Sequence, residues 1–365
     1  MRIALLVAKF EMGGLMAVNS QLVSSLTQKG HQVVLVSATN NTGTNSHIPK
    51  GSISLEANSS FRSISIVKSK LFRGDYDIVI ASQLFIGLIA LWARPRKSST
   101  SLLVVEHSSL DYWKDSLKVK DRLVLFFSKV LLGKVDQIAA VSRETTKSIN
   151  DEFRKLRRPA VYLPNPVLNG RELIFEVEQN PATARSGIVF AGRLSAEKRV
   201  PDIIHAFALV ANEVSDNLLI LGDGPEMRRC IELVNELKIT DRVTFTGFVD
   251  NVQDFLRMSR CLVLASSHEG LAVILVEALA SGCQVVSTDC PTGPREILEN
   301  GKYGRLVEVG DIEGISKAIK LATQKTTSTD GLTGHLRQFL TENSAESYER
   351  LCTEIISGRR KLFQK

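Results

Sequence analysis

Two carboxylates, Glu269 and Glu277, stand eight positions apart in His-Glu-Gly-Leu-Ala-Val-Ile-Leu-Val-Glu, residues 268–277. A glycine follows the first, and an apolar helical run leads into the second. Half-buried acids are costly without partners. A pair bracketing a helix start suits a ligand that carries both hydroxyls and phosphate. The acids would take the hydroxyls, and the helix N-terminus would face the phosphate. Upstream, Phe190-Ala-Gly-Arg-Leu-Ser-Ala-Glu-Lys198 places Arg193 and Lys198 after a strand-like run. Arg offers a planar fork to phosphate oxygens and Lys a mobile point charge, enough to neutralise a diphosphate without a metal.

Weaker signals lie at other strand ends. Gly13-Gly14 separates the first strand from the first helix, where glycine permits either a tight turn or the approach of a phosphate. Glu106-His107 closes another strand, so His107 can face a sugar hydroxyl or serve structure. Gly222-Asp-Gly-Pro225 and Gly247-Phe-Val-Asp250 end two later strands, with Phe248 and Val249 placed to touch a base. Cys290-Pro-Thr-Gly-Pro-Arg-Glu296 offers Gly293 and Glu296 as acceptor contacts or as a plain helix cap. Asp75-Tyr-Asp77 has the form of a metal-binding D-x-D, but it precedes a strand and reads as a turn. His268-Glu269 is not followed by His at position 272, so the zinc motif H-E-x-x-H is absent. No G-x-G-x-x-G occurs and no acid ends the second strand, which disfavours a dinucleotide dehydrogenase. No metal ligand set and no cofactor are expected.

The elements that would position these groups alternate. Arg2–Val7, Gln32–Val36, Ile78–Ala81, Leu102–Val105, Gln137–Val141 and Ala160–Leu163 read as strands, with helical spacing between most of them. Leu163-Pro-Asn-Pro-Val167 and a polar stretch containing Pro181 interrupt the series. A second series runs through Gly187–Ala191, Leu218–Leu221, Val243–Thr246, Cys261–Ala265 and Gln284–Thr288. The reading is α/β, with two doubly wound parallel-sheet domains over 1–166 and 167–344 facing a central cleft. A C-terminal helix over 345–365 returns to the first domain. Ligands belong at the carboxyl ends of the strands.

Composition agrees with a globular α/β chain, at 44% hydrophobic and 23% charged residues. No apolar run approaches the length of a membrane span, and the first nine residues read as a strand rather than a signal peptide. Five cysteines without C-x-x-C suggest reduced thiols and a cytoplasmic protein. Charge is uneven: residues 1–165 hold 23 Lys+Arg against 12 Asp+Glu, the remainder 23 against 27. A basic first half suggests an anionic partner. Arg62, Lys68, Lys70 and Arg73, interleaved with Phe61, Ile64, Ile66, Val67, Leu71 and Phe72, could lie on anionic lipid or simply pack on the sheet. Without an aromatic-interleaved basic motif, no nucleic acid is expected.

In this order the elements resemble the retaining nucleotide-sugar glycosyltransferases of family 4 (glycosyl transferases group 1), which have the GT-B fold. The Gly-Arg-Leu…Lys of 192–198 and the E-x₇-E of 269–277 are the most specific parts. The run Asp289–Glu296 looks like members that extend lipid-linked glycans or surface polysaccharides. The resemblance implies that Arg193 and Lys198 bind the donor diphosphate and that Glu277 binds the ribose. It puts Glu269, Gly270, Leu271, Ala272 and Val273 at the donor sugar and phosphate. His107 would contact the donor sugar, while Gly13, Gly14, Gly222, Phe248 and Val249 line the nucleotide or acceptor. His107, Arg193, Lys198 and Glu269 would carry catalysis. The implied reaction is metal-independent hexosyl transfer from a nucleotide sugar, UDP foremost, to a polyprenyl-diphosphate-linked or other lipid-linked saccharide. Its setting would be the inner face of the plasma membrane, with peripheral attachment through the basic first domain. A silent sugar-nucleotide-binding partner of an enzyme pair, or a GT-B epimerase or phosphorylase, remains an alternative. Two departures stand out: family members commonly have Gly or Pro where Ala272 stands, and Gly where Arg199 follows Lys198.

Overall fold

A computed structural model describes residues 1–10, 13–39, 48–57, 60–115, 118–153, 155–170 and 185–363. The polar stretch around Pro181 and the side chain of Phe61 lie outside the described residues, as do the side chains of Arg360 and Lys361. The chain forms two compact units, Met1–Val167 with Gln338–Lys365, and Leu168–Arg337.

The first unit holds strands β1 (Arg2–Val7), β2 (Gln32–Thr39), β3 (Ile53–Ala57), β4 (Ile78–Ser82), β5 (Ser101–Glu106), β6 (Gln137–Ala140) and β7 (Val161–Tyr162). They pair in the order β3-β2-β1-β4-β5-β6-β7, parallel throughout. The second unit holds β8 (Ile188–Ala191), β9 (Leu218–Leu221), β10 (Val243–Gly247), β11 (Cys261–Leu264), β12 (Gln284–Thr288) and β13 (Arg305–Val307). Their order is β10-β9-β8-β11-β12-β13, again all parallel. Both units are therefore Rossmann-like doubly wound sheets. Each chain path reverses once, between β1 and β4 and between β8 and β11.

Central strands are buried along their whole length, because helices cover both faces of a parallel sheet. Continuous Val, Ile and Leu runs supply that burial and made these strands legible. Strands β3 and β13 were not expected. Both are short edges, with burial that alternates or stays partial, and Glu56 and Arg305 interrupt their apolar pattern.

The terminal helix Thr341–Phe363 packs on the helix Gly14–Gln28 and on β5. Ala345, Tyr348, Cys352 and Ile355 are its buried face. Arg359 pins its end, donating to the Ser98 carbonyl at 2.7 Å and to Asp136 Oδ1 at 2.6 Å. All five cysteines are buried free thiols.

Candidate functional site

Parallel strands release their chain at one edge, so the five loops after β8 to β12 meet there. Backbone hydrogen bonds lace them. Gly192 N–H donates to the Leu221 carbonyl, Leu194 N–H to that of Asp223, and Gly222 N–H to that of Gly247, at 2.9, 2.9 and 2.8 Å. A methyl group on Gly222 would overlap the Gly192 carbonyl oxygen, and one on Gly224 the Leu194 carbonyl oxygen. These glycines are therefore set by close approach of backbones.

The chain reverses between the neighbouring strands β8 and β11, and it is at such reversals that doubly wound sheets bind ligands. Here Lys198 and Glu269 meet, 71 residues apart in sequence. Lys198 Nζ donates to Glu269 Oε1 at 2.5 Å, and Ser266 Oγ donates to the same oxygen at 2.6 Å. Glu269 keeps 9% of its side chain exposed and Lys198 22%. The Ser267 N–H donates to the Glu197 carbonyl at 2.8 Å, so the turn Ala196–Lys198 is tied to the Glu269 loop. Arg193 stands exposed two residues after β8. Thr292 Oγ1 donates to the Glu269 carbonyl, and Gly293 approaches the Leu271 carbonyl so closely that a Cβ would sit 2.9 Å from its oxygen. The β12 loop thus buttresses residues 269–271.

Behind that loop lies the helix Val273–Ala280. Its first turn has no acid, and its N-cap, Ala272, supplies no side-chain acceptor. The opening N–H groups are left for a ligand or for water. Glu277 sits half-buried one turn further on. Ala272 is left-handed, at φ 56° and ψ 59°, and so is Arg199, at φ 48° and ψ 41°. That backbone costs a non-glycine residue about 1–2 kcal/mol. The two positions singled out as departures in the sequence, Ala272 and Arg199, are thus both left-handed. The helix start at Val273 and the one at Val200 each need that bend.

Phe248 is exposed just past a register shift at the end of β10, with Val249 half-buried beside it. Glu296 occupies the first turn of the short helix Pro294–Ile297, which Gly293 caps at φ 91°.

In the N-terminal unit, the space beyond Gly13 and Gly14 is open, with no described atom within 4 Å of where a Cβ would stand. Gly13 starts the helix Gly14–Gln28. Sequence reasoning missed Glu106, the residue before His107. It is fully buried at the end of β5, and its carboxylate accepts three backbone N–H groups, from Leu84 at 2.8 Å, His107 at 3.0 Å and Ser108 at 2.7 Å. Burial nevertheless pushes the Glu106 carboxyl up to about 7. Burial lowers the His107 imidazole to about 4, so it is neutral near pH 7. His107 Nδ1 is buried with no hydrogen-bond partner among the described residues. The only signal available in the sequence was an acid closing an otherwise apolar strand.

Asp77 lies at the opposite, amino edge of this sheet, where its carboxylate accepts the Arg2 N–H at 2.8 Å. The helix Ser60–Leu71 buries Val67 and Leu71, with Phe72 just beyond it, in the core. Lys68, Lys70 and Arg73 stay exposed.

Comparison with known proteins places these units. Residues 12–168 match the family described as Glycosyltransferase Family 4, and residues 174–344 match Glycosyl transferases group 1. The chain is 42% identical over 125 residues to the N-acetyl-alpha-D-glucosaminyl L-malate synthase of Bacillus anthracis, covering 34% of this chain and 32% of that protein. It is 27% identical over 234 residues to the N-acetylgalactosamine-N,N'-diacetylbacillosaminyl-diphospho-undecaprenol 4-alpha-N-acetylgalactosaminyltransferase of Campylobacter jejuni, covering 64% and 63%. It is 33% identical over 132 residues to the lipopolysaccharide 1,6-galactosyltransferase of Escherichia coli, covering 34% and 36%. The chain thus spans less than two thirds of each of these relatives. Among solved structures, the apo lipopolysaccharide outer core galactosyltransferase WaaB superposes with a TM-score of 0.72 at 21% identity, over 96% of this chain and 98% of that one. Staphylococcus aureus TarM, solved with UDP, superposes with a TM-score of 0.77 at 12% identity, over 96% and 100%. Two family descriptions divide nearly the whole chain between them, and the chain belongs to the family 4, group 1 glycosyltransferases of the GT-B fold.

Proposed function

We propose that this chain transfers a hexosyl group from a nucleotide sugar, of the UDP class, to a lipid-linked saccharide, with retention of anomeric configuration and no divalent metal. The observation that carries the reading is the Lys198–Glu269 pair beside the uncapped Val273–Ala280 helix. It sets a cation, a held carboxylate and a helix start without a side-chain cap together at the β8 and β11 exits. Such a group suits a sugar diphosphate: Lys198 and Arg193 neutralise the phosphates, Glu269 and the N–H groups of Gly270 to Val273 hold the sugar and phosphate, and Glu277 binds the ribose. Phe248 and Val249 flank the base, with Gly222 below.

Charge developing on the departing diphosphate is stabilised by Arg193, Lys198 and the helix N-terminus. The bond from the anomeric carbon to the diphosphate oxygen breaks. The acceptor hydroxyl bonds to that carbon from the same face, and its proton passes to the leaving diphosphate. Glu269 positions the sugar rather than attacking it. In the N-terminal unit, the neutral His107 has a buried ring nitrogen without a partner among the described residues, which a sugar hydroxyl would satisfy, and Gly13 and Gly14 give a phosphate room to approach. Gly293 and Glu296 complete the acceptor side. UDP in the solved TarM complex, and a diphospho-undecaprenol-linked glycan in the name of the C. jejuni relative, support the substrate classes. From an acceptor of that class we infer a peripheral setting at the inner face of the plasma membrane.

The test is incubation of the full chain with a panel of nucleotide hexoses and polyprenyl-diphosphate glycans in excess chelator. Product mass and anomeric configuration are the readout. A new α-linked hexose from an α-configured donor is expected. Inversion, or a strict divalent-ion requirement, overturns the mechanism. Binding of UDP without any transfer would instead favour a silent partner of an enzyme pair.

A further inference from the structure

Among the described residues around the cations at 68, 70 and 73 no large apolar side chain is fully exposed: Val67, Leu71 and Phe72 are buried, and Ile64 and Ile66 are half-buried. A different helix of the same unit has what that segment lacks. Val119–Leu131 turns Val124, Leu125 and Ser128 to the core. On its other side Val119, Leu123, Phe126, Phe127 and Val130 are 71%, 49%, 60%, 40% and 54% exposed. Their spacing draws one apolar stripe along nearly three turns. Trp92, 49% exposed on the neighbouring helix Leu84–Ala93, extends the stripe by an edge-on contact with Phe127, ring centroids 6.5 Å apart.

A clustered stripe of this kind is an interaction surface rather than scattered apolar exposure. Its flank identifies the partner. Lys118, Lys120 and Arg122 are all exposed at the start of the helix, against the single acid Asp121. Exposed aromatic and aliphatic side chains beside a row of cations suit an anionic lipid surface, the rings sinking to headgroup level and the cations reaching phosphates. The stripe also begins beside the β5 strand end, where Glu106 and His107 lie. Lys120 Nζ lies over the Phe85 ring, 5.1 Å from its centroid, and the preceding residue, Leu84, donates its N–H to Glu106. We infer that the Val119–Leu131 helix, with Trp92, is a bilayer-docking surface that seats this unit on anionic lipid with its β5 strand end close to the headgroups. The inference rests on the reading of a membrane-held acceptor and says which face meets the membrane.

The experiment is flotation of the full chain with phosphatidylglycerol-rich vesicles and with phosphatidylcholine vesicles, alongside tryptophan emission. Phe126→Ser/Phe127→Ser should lower partitioning about tenfold or more, and Val119→Ser/Val130→Ser should do so independently. Lys118→Glu/Lys120→Glu/Arg122→Glu should lower it on the anionic vesicles alone. Vesicles should shift the emission of Trp92 to the blue, a change that Trp92→Phe removes while buried Trp113 stays silent. Binding that survives both serine pairs but is lost in Lys68→Glu/Lys70→Glu/Arg73→Glu overturns this surface and leaves a membrane-held acceptor standing. No vesicle binding by the unaltered chain overturns both. Loss of self-association in the serine variants, with vesicle binding unchanged, would assign the stripe to a second copy of the chain and also overturn the inference.

Discussion

Glu106 and His107 are sequence neighbours with opposite proton linkage, and that opposition can be measured. Burial raises the Glu106 carboxyl from 4.5 to about 7. Its folded form therefore prefers the proton, and stability present below pH 4.5 is lost as pH rises towards 7. Burial lowers His107 from 6.5 to about 4, so stability present above pH 6.5 is lost as pH falls towards 4. Each displacement is worth about 1.4 kcal/mol per pH unit, or about 3 kcal/mol over its window. The value for His107 is nearer ~2 kcal/mol, since the residue as a whole is only half-buried. Between roughly pH 4.5 and 6.5 the two slopes cancel in the unaltered protein. Glu106→Gln should unmask the histidine, giving a stability that climbs by ~2–3 kcal/mol from pH 4 to 6.5. It should also cost a pH-independent ~1–3 kcal/mol, because a Gln NH₂ must face a backbone N–H of Leu84, His107 or Ser108. His107→Gln should unmask the acid, giving a stability that falls from pH 4.5 to 7. Urea unfolding followed by tryptophan emission isolates the effect, since both tryptophans, Trp92 and Trp113, lie in the N-terminal unit. A Glu106→Gln curve that runs parallel to the unaltered protein across this range would refute the buried-acid account.

Lys198→Ala should abolish hexosyl transfer by two orders of magnitude or more while urea unfolding stays cooperative, because Ser266 still holds Glu269; near-normal turnover would sink the site assignment. Gly222→Ala should destabilise the C-terminal unit by more than ~2 kcal/mol in urea melts, since its methyl has no room beside the Gly192 carbonyl. Arg359→Ala should cost about 3 kcal/mol and raise proteolytic release of the terminal helix, as it removes two hydrogen bonds to Ser98 and one of the cations on Asp136. Ala272→Gly should shift stability by less than ~1 kcal/mol, because relief of the left-handed backbone is offset by a lost buried methyl and a freer unfolded chain. A calorimetric shift well beyond that would mean the turn is held by something other than its own φ and ψ.

The apolar runs of Ile78–Ser82, Ser101–Glu106 and Gln284–Thr288 announced a doubly wound α/β chain because strands buried on both faces must be continuously hydrophobic. Edge strands Ile53–Ala57 and Arg305–Val307 escaped for the converse reason: half-exposed pairing demands little of composition. At the site, residue types alone spoke for phosphate at Arg193 and Lys198. Only its place at the end of an apolar strand marked Glu106 locally, and its three N–H donors come from two segments, the helix start at Leu84 and the turn at His107 and Ser108. The stripe Val119–Val130 reads in sequence like any core helix, and periodicity cannot say which apolar face meets the sheet and which meets solvent.

What the sequence determined by itself is what depends on neighbours along the chain: strand and helix character, the glycines at strand ends, and the family motifs over 192–198 and 269–277. Only the tertiary structure decided which strand exits meet. Lys198 reaches Glu269 because β8 and β11 are hydrogen-bonded neighbours although two strands separate them in order. The same folding leaves Ala272 and Arg199 left-handed at the two helix starts that flank this meeting point. Pairing across 71 residues is selected by burial of whole sheet faces, an energy shared among dozens of side chains, and no short motif contains it.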